Sequence, residues 1–168
     1  MKTNIVLVSL LERLNKKIAD KLSKTYDFYL ADMSDILEYR LINASEIEEL
    51  CGVEYLNSLK TKTIQEVSTY ENTLITMPYS LFIAENNAEY FKKYGTIVFL
   101  KFPVSVLERI KKTTKKEQTK NEMEILIRTY NEHTTLCEEV SDITIDLNKN
   151  DFDFCYKKVQ KVLDEYYL

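Results

Sequence analysis

The residues in this 168-residue chain that could do chemistry are few and far apart. Asp32 follows a short run of strand-forming residues, so it could act as a general base or cap the next helix. His133 is the single histidine, which excludes a metal site built on several histidines. The three cysteines form no CxxC pair; they are Cys51, Cys137 and Cys155. The sequence therefore predicts no metal site, and metal chemistry here would need oxygen ligands.

The composition is that of one globular domain spanning residues 1–168. Hydrophobic residues make up 45% of the chain, and it has two glycines and two prolines, which excludes disordered and fibrous classes. The net charge of −4 provides no positive field for nucleic acid. No apolar run is long enough for a membrane helix or resembles an export signal. We expect a cytoplasmic protein with buried, reduced thiols, either a monomer or a homodimer.

The elements that must position these residues alternate along the chain. Hydrophobic runs typical of strands are separated by stretches with helical spacing, which favours a parallel sheet covered on both faces. The predicted fold is a three-layer α/β/α sandwich. Ligands in such sheets bind beyond the carboxyl ends of the strands. The predicted strands are 4–8, 27–31, 73–76, 96–101 and 142–146.

The second half of the chain contains three further predicted features. A helix over 84–94 ends at Gly95, where we expect a left-handed residue. The segment 111–120 has no apolar residue and is predicted to be a solvated helix end or a mobile loop. A single long helix is predicted over 121–138.

The order of these pieces resembles the shikimate kinase family of P-loop small-molecule kinases. The resemblance is carried by NIVLV at the start, YLADMSDILE after the second strand, GVEYLNSLK, YFKKYGTIVFLKFPVSVLERIKK, and EEVSDITID near the end. It implies a five-stranded parallel sheet, and it aligns the polar segment 111–120 with the family's mobile lid.

The same resemblance implies that the family's phosphate-binding loop is altered in this chain. In the family this loop is rich in glycine and ends in Gly-Lys-Ser/Thr, whose amides, lysine and hydroxyl hold phosphate and magnesium. Here Asn15 stands at the lysine position and Lys16 at the hydroxyl position. Glu12 and Leu14 stand at glycine positions. Alternatively, Arg13, Lys16 or Lys17 could supply charge to phosphate from a shifted position. We expect a segment that cannot cradle a nucleotide.

The positions that bind substrate in the family are also changed. Asp32 matches the first of two family aspartates, but Ser34 occupies the second position. Asn57 and His133 stand at the positions of two carboxylate-binding arginines, and Tyr79 lies in the family's glycine turn. The vestigial substrate-binding residues are thus Asp32, Asn57 and His133, with Asp32 the one catalytic candidate.

The vestigial nucleotide-binding residues are Arg13, Asn15, Lys16 and Arg109. Arg109 matches an arginine that stacks on adenine in the family, although a solvated arginine on an amphipathic helix is the simpler explanation. The lid's Arg-Pro pair is missing, and the whole chain has four arginines to stabilise a transferring phosphoryl group.

These changes lead to a non-catalytic relative of shikimate kinase that serves as a binding or regulatory protein without a cofactor. The alternative is an atypical kinase that phosphorylates a hydroxylated metabolite with ATP and magnesium. A third possibility is an interaction module that uses Tyr166, Tyr167 and Leu168 against a partner protein. A cleft filled by Leu11, Leu14 and Tyr79 would favour binding functions, whereas an open, charged cleft would favour an enzyme.

Overall fold

Five short runs of mainly β-branched, leucine and aromatic residues form one parallel sheet in the computed structural model, which describes residues 3–167. The strand order is β2-β3-β1-β4-β5. Central β1 pairs with β3 and β4, and β2 and β5 form the two edges. The predicted fold class is confirmed. The strands are β1 (Asn4–Ser9), β2 (Tyr29–Asp32), β3 (Thr73–Pro78), β4 (Gly95–Lys101) and β5 (Ile143–Asp146).

Helices fill every connection between the strands. The described helices are α1 (Glu12–Tyr26), α2 (Met33–Arg40), α3 (Ala44–Cys51), α4 (Val53–Ser68), α5 (Tyr79–Ile83), α6 (Asn87–Tyr94), α7 (Val104–Thr113), α8 (Glu117–Arg128), α9 (Tyr130–Val140) and α10 (Phe152–Tyr167). Within the described part of the chain, every helix is too short or too polar to traverse a lipid bilayer.

The two faces of the sheet pack against different helices because side chains alternate along each strand. Ile5 and Leu7 of β1 lie in a cluster with apolar residues of α1, α7, α8 and α10. Val6 and Val8 lie in a second cluster with residues of α2, α4, α5, α6 and α9. Central β1 is buried along its whole length. The result is the predicted three-layer arrangement, with the carboxyl end of β1 opening onto α1.

The expected left-handed conformation of Gly95 is wrong. Gly95 has φ −134° and ψ 160°, and it begins β4 in register with Asn4. A Cβ at this position would lie 3.3 Å from both the Asn4 Cβ and the Asn4 carbonyl oxygen. Glycine therefore permits the close approach of β4 to β1 and is not needed for a turn.

The predicted long helix over 121–138 is two helices. Thr129, with φ −103° and ψ 8°, separates α8 from α9. The polar segment 111–120 comprises the end of α7, a short link and the first turn of α8. The helical end predicted for this segment is therefore present, and α8 continues from it toward the site.

The cysteines differ in their exposure, contrary to the expectation that all are buried. Cys137 and Cys155 are buried, whereas Cys51 is exposed at the end of α3. Burial raises the pKa of the Cys137 thiol to about 12 and that of Cys155 to about 11. Among the described residues, no group of three or more His, Cys, Asp or Glu is placed to hold a metal ion.

Candidate functional site

The connection between β1 and α1 is short and enters the helix at once. β1 ends at Ser9 and α1 begins at Glu12. The Ser9 Oγ accepts a hydrogen bond from the Leu11 amide at 3.1 Å, and the Leu11 carbonyl accepts one from the Asn15 amide at 3.0 Å. The latter bond has the spacing of a regular helical turn. The Asn15 amide therefore donates to its own helix.

Asn15 is buried beneath this turn, with 2% of its surface exposed. Its Nδ2 donates to the Leu7 carbonyl oxygen of β1 at 3.0 Å, which ties the helix to the central strand. The Asn15 Oδ1 is buried without a hydrogen-bond partner among the described residues. The side chain of Asn15, which the resemblance aligns with the family's phosphate-binding lysine, is therefore directed into the sheet.

Lys16 and Asp32 form an ion pair at the carboxyl end of β2. The Lys16 Nζ lies 3.2 Å from an Asp32 carboxylate oxygen and 3.4 Å from Asp35. Partial burial of the ammonium opposes its charge, but the hydrogen bond to Asp32 and the charges of both aspartates raise the pKa of Lys16 overall. The positive charge of Lys16 is thus directed to α2.

Asp32 is also the N-cap of α2. Its Oδ1 accepts a hydrogen bond from the Asp35 amide at 3.1 Å. This contact stabilises the first turn of α2, as expected for an aspartate at an N-cap. Asp32 is therefore an N-cap, and its carboxylate could still act as a general base. Each of its two carboxylate oxygens, however, already has a partner.

A cavity of about 550 Å³ lies beside the start of α1. Two carboxylates, Glu12 of α1 and Glu122 of α8, face it together with exposed Arg13. Leu11, Leu14 and Tyr79 lie in its wall and leave it open. The cleft is therefore open but mostly apolar. The sequence predicts either a cleft filled by these side chains or an open, charged one, and the structure shows neither. The remaining residues around it are Leu10, Ile110, Thr119, Met123, Ile125, Leu126 and Asn150.

Burial dominates the electrostatics of the acidic wall. Removal from solvent raises the pKa of Glu12 above its ordinary value; Glu122 and Asp32 add to this effect, and Lys16 opposes it. Burial also raises the pKa of the Tyr79 hydroxyl, with a further contribution from Glu12. The site therefore disfavours additional negative charge next to Glu12.

A small pocket of about 10 Å³ shares Glu12 with the cavity. It is lined by three of the predicted residues, Asn15, Lys16 and Asp32, and by Thr76 at the end of β3. The Thr76 Oγ1 is buried without a partner in the described part of the chain. Three residues predicted from sequence are thus brought together in space.

The other predicted site residues lie outside this small pocket. His133 on α9 is partly buried and packs against Tyr79, with tilted rings whose centroids lie 5.0 Å apart. Its Nδ1 lies 3.2 Å from the Thr129 hydroxyl. Asn57 on α4 and Arg109 on α7 are exposed, and neither lines the cavity or the small pocket. Arg13 is the predicted nucleotide-binding residue that lines the cavity.

Sequence reasoning missed the contribution of α8, which brings Thr119, Glu122 and Met123 to the cavity. Its first residues belong to the segment predicted to be solvated. Met123 and Leu126 are nevertheless buried at helical spacing, and this i, i+3 pattern was the available signal.

The strand order and connections define an α/β protein of the P-loop kinase type. Its fold is similar to the shikimate kinase of Bacteroides thetaiotaomicron, with a TM-score of 0.77, 17% identity and 99% coverage of both chains. It is also similar to the shikimate kinase of Acinetobacter baumannii solved in complex with shikimate, with a TM-score of 0.70, 21% identity and coverage of 98% of this chain and 95% of that one.

The sequence comparisons define the family. Residues 16–164 match the family model for shikimate kinase. The shikimate kinase of Caldicellulosiruptor bescii is 27% identical over 120 residues, which is 70% of each chain. The chain belongs to the shikimate kinase family. The match begins at Lys16, so the connection from β1 to α1 lies outside it.

Proposed function

We propose that this member of the shikimate kinase family has lost ATP-dependent phosphoryl transfer and serves as a binding or regulatory protein. The observation that carries the proposal is the hydrogen bond from the Asn15 amide to the Leu11 carbonyl. A phosphate-binding loop needs several free amides that curl around one anion. Among the described residues, those with positive φ are Asp27, Gly52, Asn72 and Glu85, all outside the connection from β1 to α1.

The charges around this turn support the same proposal. A triphosphate next to Glu12 would be repelled by about 4 kcal/mol per charge pair, for charges ~4 Å apart in a medium with an effective dielectric constant of about 20. Lys16 cannot easily compensate for this repulsion because its ammonium is paired with Asp32 and Asp35. Arg13 contributes one exposed cation to the cavity wall.

The residues present do not fit a magnesium ion as the family would hold it. The position of the metal-binding hydroxyl is Lys16, whose ammonium lies 3.2 Å from Asp32. A divalent cation placed against the same carboxylate would be repelled by this ammonium. We therefore assign no phosphoryl-transfer step to these residues, and we propose a function that needs neither ATP nor magnesium.

The second candidate is an atypical small-molecule kinase that phosphorylates a hydroxylated metabolite with ATP. Family membership favours it, because the relatives matched are kinases by name. The open cavity of about 550 Å³ has the size of a small-molecule site, and Asp32 is retained at the end of β2. It would require a phosphate contact that does not use the amides of the first turn of α1.

Calorimetric titration with ATP and magnesium separates the two candidates. The binding-protein proposal predicts no saturable heat, whereas the shikimate kinase of Acinetobacter baumannii serves as a control for the assay. Micromolar ATP binding to this chain would overturn the proposal. A parallel screen for ADP release should include shikimate and other hydroxylated metabolites, and turnover with any of them would establish the kinase candidate.

Self-association is a separate question for a regulatory protein. Tyr166 and Tyr167 at the end of α10 are 54% and 50% exposed, and their rings contact each other edge to face. Leu168 lies outside the described residues. Sedimentation at several concentrations distinguishes a monomer from a homodimer, and a double change of both tyrosines to Ser tests whether this end of α10 is the contact.

A further inference from the structure

We propose that the cavity beside α1 binds a largely apolar small molecule that carries one basic amine. This inference rests on the proposed function, because such a ligand would occupy the region where a kinase of this family would need a nucleotide. It is carried by two features of the cavity: its apolar walls and the two carboxylates that line it.

The size and walls of the cavity suit a small molecule with an apolar body. Its volume of about 550 Å³ falls within the usual range for ligand pockets, roughly 300–1,000 Å³. Eight of the thirteen residues around it are apolar or aromatic. Burial of an apolar body against such walls is favourable in proportion to its area. One part of the wall lies in the first turn of α1 and just before it, and consists of Leu10, Leu11 and Leu14. Another part comes from α8 and consists of Met123, Ile125 and Leu126.

The charged groups of the cavity select a cation over an anion. Glu12 on α1 and Glu122 on α8 both line it. Each of them raises the energy of a negative charge placed between them. Arg13 is the one basic residue among the described residues that line the cavity, and it is exposed to solvent. Glu122 is exposed as well, so water screens the charges of Arg13 and Glu122 more strongly than that of half-buried Glu12, which is the main attraction for a cation.

The pocket behind Glu12 is too small to take part in this binding. Its volume is about 10 Å³, and the buried Asn15 and Thr76 that line it do not line the cavity. A ligand in the cavity therefore meets Glu12 from the cavity side. The ammonium of Lys16, which also lines the pocket, is directed to Asp32 and Asp35.

These features identify the contacts of the amine. An ammonium carries three N–H donors and no acceptor. We expect its principal contact to be the Glu12 carboxylate, which faces both spaces, with Glu122 as the second negative charge. The apolar part of the molecule then lies against Leu11, Leu14 and Met123. A carboxylate or phosphate at the same point would face two like charges.

The experiment uses three probes of similar size and different charge: phenethylamine, phenylpropionate and phenethyl alcohol. Each is titrated into the full chain and followed by amide chemical shifts. We expect the amine to bind at least tenfold more tightly than the alcohol, and the carboxylate to bind more weakly than either. Hydrogen bonds between charged partners contribute enough for such a ratio.

Variants locate the site. Glu12→Gln and Glu122→Gln should each weaken amine binding about tenfold and leave alcohol binding unchanged. Glu117→Gln is the matched control, because Glu117 is an exposed residue on α8 outside the cavity. Leu14→Phe places bulk in the wall and should weaken all probes.

Each outcome is decisive. The inference is overturned if the amine fails to bind, if the three probes bind equally, or if Glu117→Gln weakens binding as much as Glu122→Gln. ATP with magnesium is titrated in the same series. If neither ATP nor the amine binds, the amine site is wrong and the proposed function stands. If ATP binds with micromolar affinity, the proposed function is wrong, whether or not the amine binds.

Discussion

The helical first turn of α1 can be tested by changing its backbone propensity alone. The double variant Glu12→Gly with Leu14→Gly introduces glycine at the two positions that the resemblance aligns with glycines of the family. The double variant Glu12→Ala with Leu14→Ala removes nearly the same side-chain atoms but retains a strong helix former. The comparison between these two variants isolates the effect of the backbone.

The expected difference follows from helix propensity. Glycine is about 1 kcal/mol less favourable than alanine at one helical position, so the pair differs by about 2 kcal/mol. Since each 1.4 kcal/mol is a factor of ten, the first turn should open about 30-fold more often in the glycine pair. Hydrogen exchange of the Asn15 amide reports this opening, because that amide is bonded to the Leu11 carbonyl.

The control for global destabilisation is the amide of a buried residue far from the site. Val159 in α10 is fully buried, and its exchange should change far less than that of Asn15. The reasoning is refuted if the Asn15 amide exchanges like an unstructured residue in the unmodified chain. It is also refuted if the glycine and alanine pairs give the same Asn15 protection.

Three further results are expected. A thiol reagent at pH 8 should label Cys51 in the folded protein and spare Cys137 and Cys155, because both are buried and their thiol pKa values lie at about 12 and 11. Asp32→Ala should lower the free energy of unfolding by about 1 kcal/mol through loss of the cap, and Asp32→Asn by less, in urea denaturation. Glu12→Gln should gain stability relative to the unmodified chain as pH rises above the ordinary Glu value of 4.5.

The sign of the Glu12 prediction follows from the direction of its shift. Burial raises the pKa of Glu12 in the folded state, so the unfolded chain ionises first as pH rises. The ionised carboxylate then costs stability at neutral pH, and this cost disappears below pH 4.5. Equal pH dependence of thermal unfolding for Glu12→Gln and the unmodified chain would contradict this. Labelling of all three thiols, or equal losses for both Asp32 variants, would contradict the other two predictions.

The sheet was predictable because its signal is local. Each strand is a run of apolar residues between polar ones, and the helices between them require parallel pairing. The structure extends β3 to Pro78 and begins β4 at Gly95, where the sequence indicated a helix end. A glycine beside a strand can either form a turn or allow a neighbouring strand to approach closely. Only the position of Asn4 in the folded chain shows that Gly95 does the second.

The arrangement of the site was less predictable because it depends on long-range contacts. The break at Thr129 contains neither glycine nor proline, so no local signal marks it. It sends α9 in a new direction, with the Tyr130 hydroxyl donating to the Phe102 carbonyl oxygen at 2.7 Å. The meeting of Glu12 and Glu122 across the cavity joins residues more than a hundred positions apart.

The pairing of Lys16 with Asp32 could not have been derived from spacing either. The two residues lie on α1 and at the end of β2, and their distance depends on how α1 packs against the sheet. The resemblance to the family nevertheless predicted which family residue each of the two positions replaces. The sequence did not show which residue each side chain contacts in the folded chain.

The most direct test of the closed first turn is an amide chemical-shift titration of the unmodified chain with ATP and magnesium. The account predicts that the backbone amides of residues 10–16 keep their shifts throughout the titration, because the Leu11 and Asn15 amides are already bonded and the Glu12 carboxylate repels phosphate from the rest of this turn. Saturable shifts confined to these amides would place phosphate on the main chain of this segment and contradict the account.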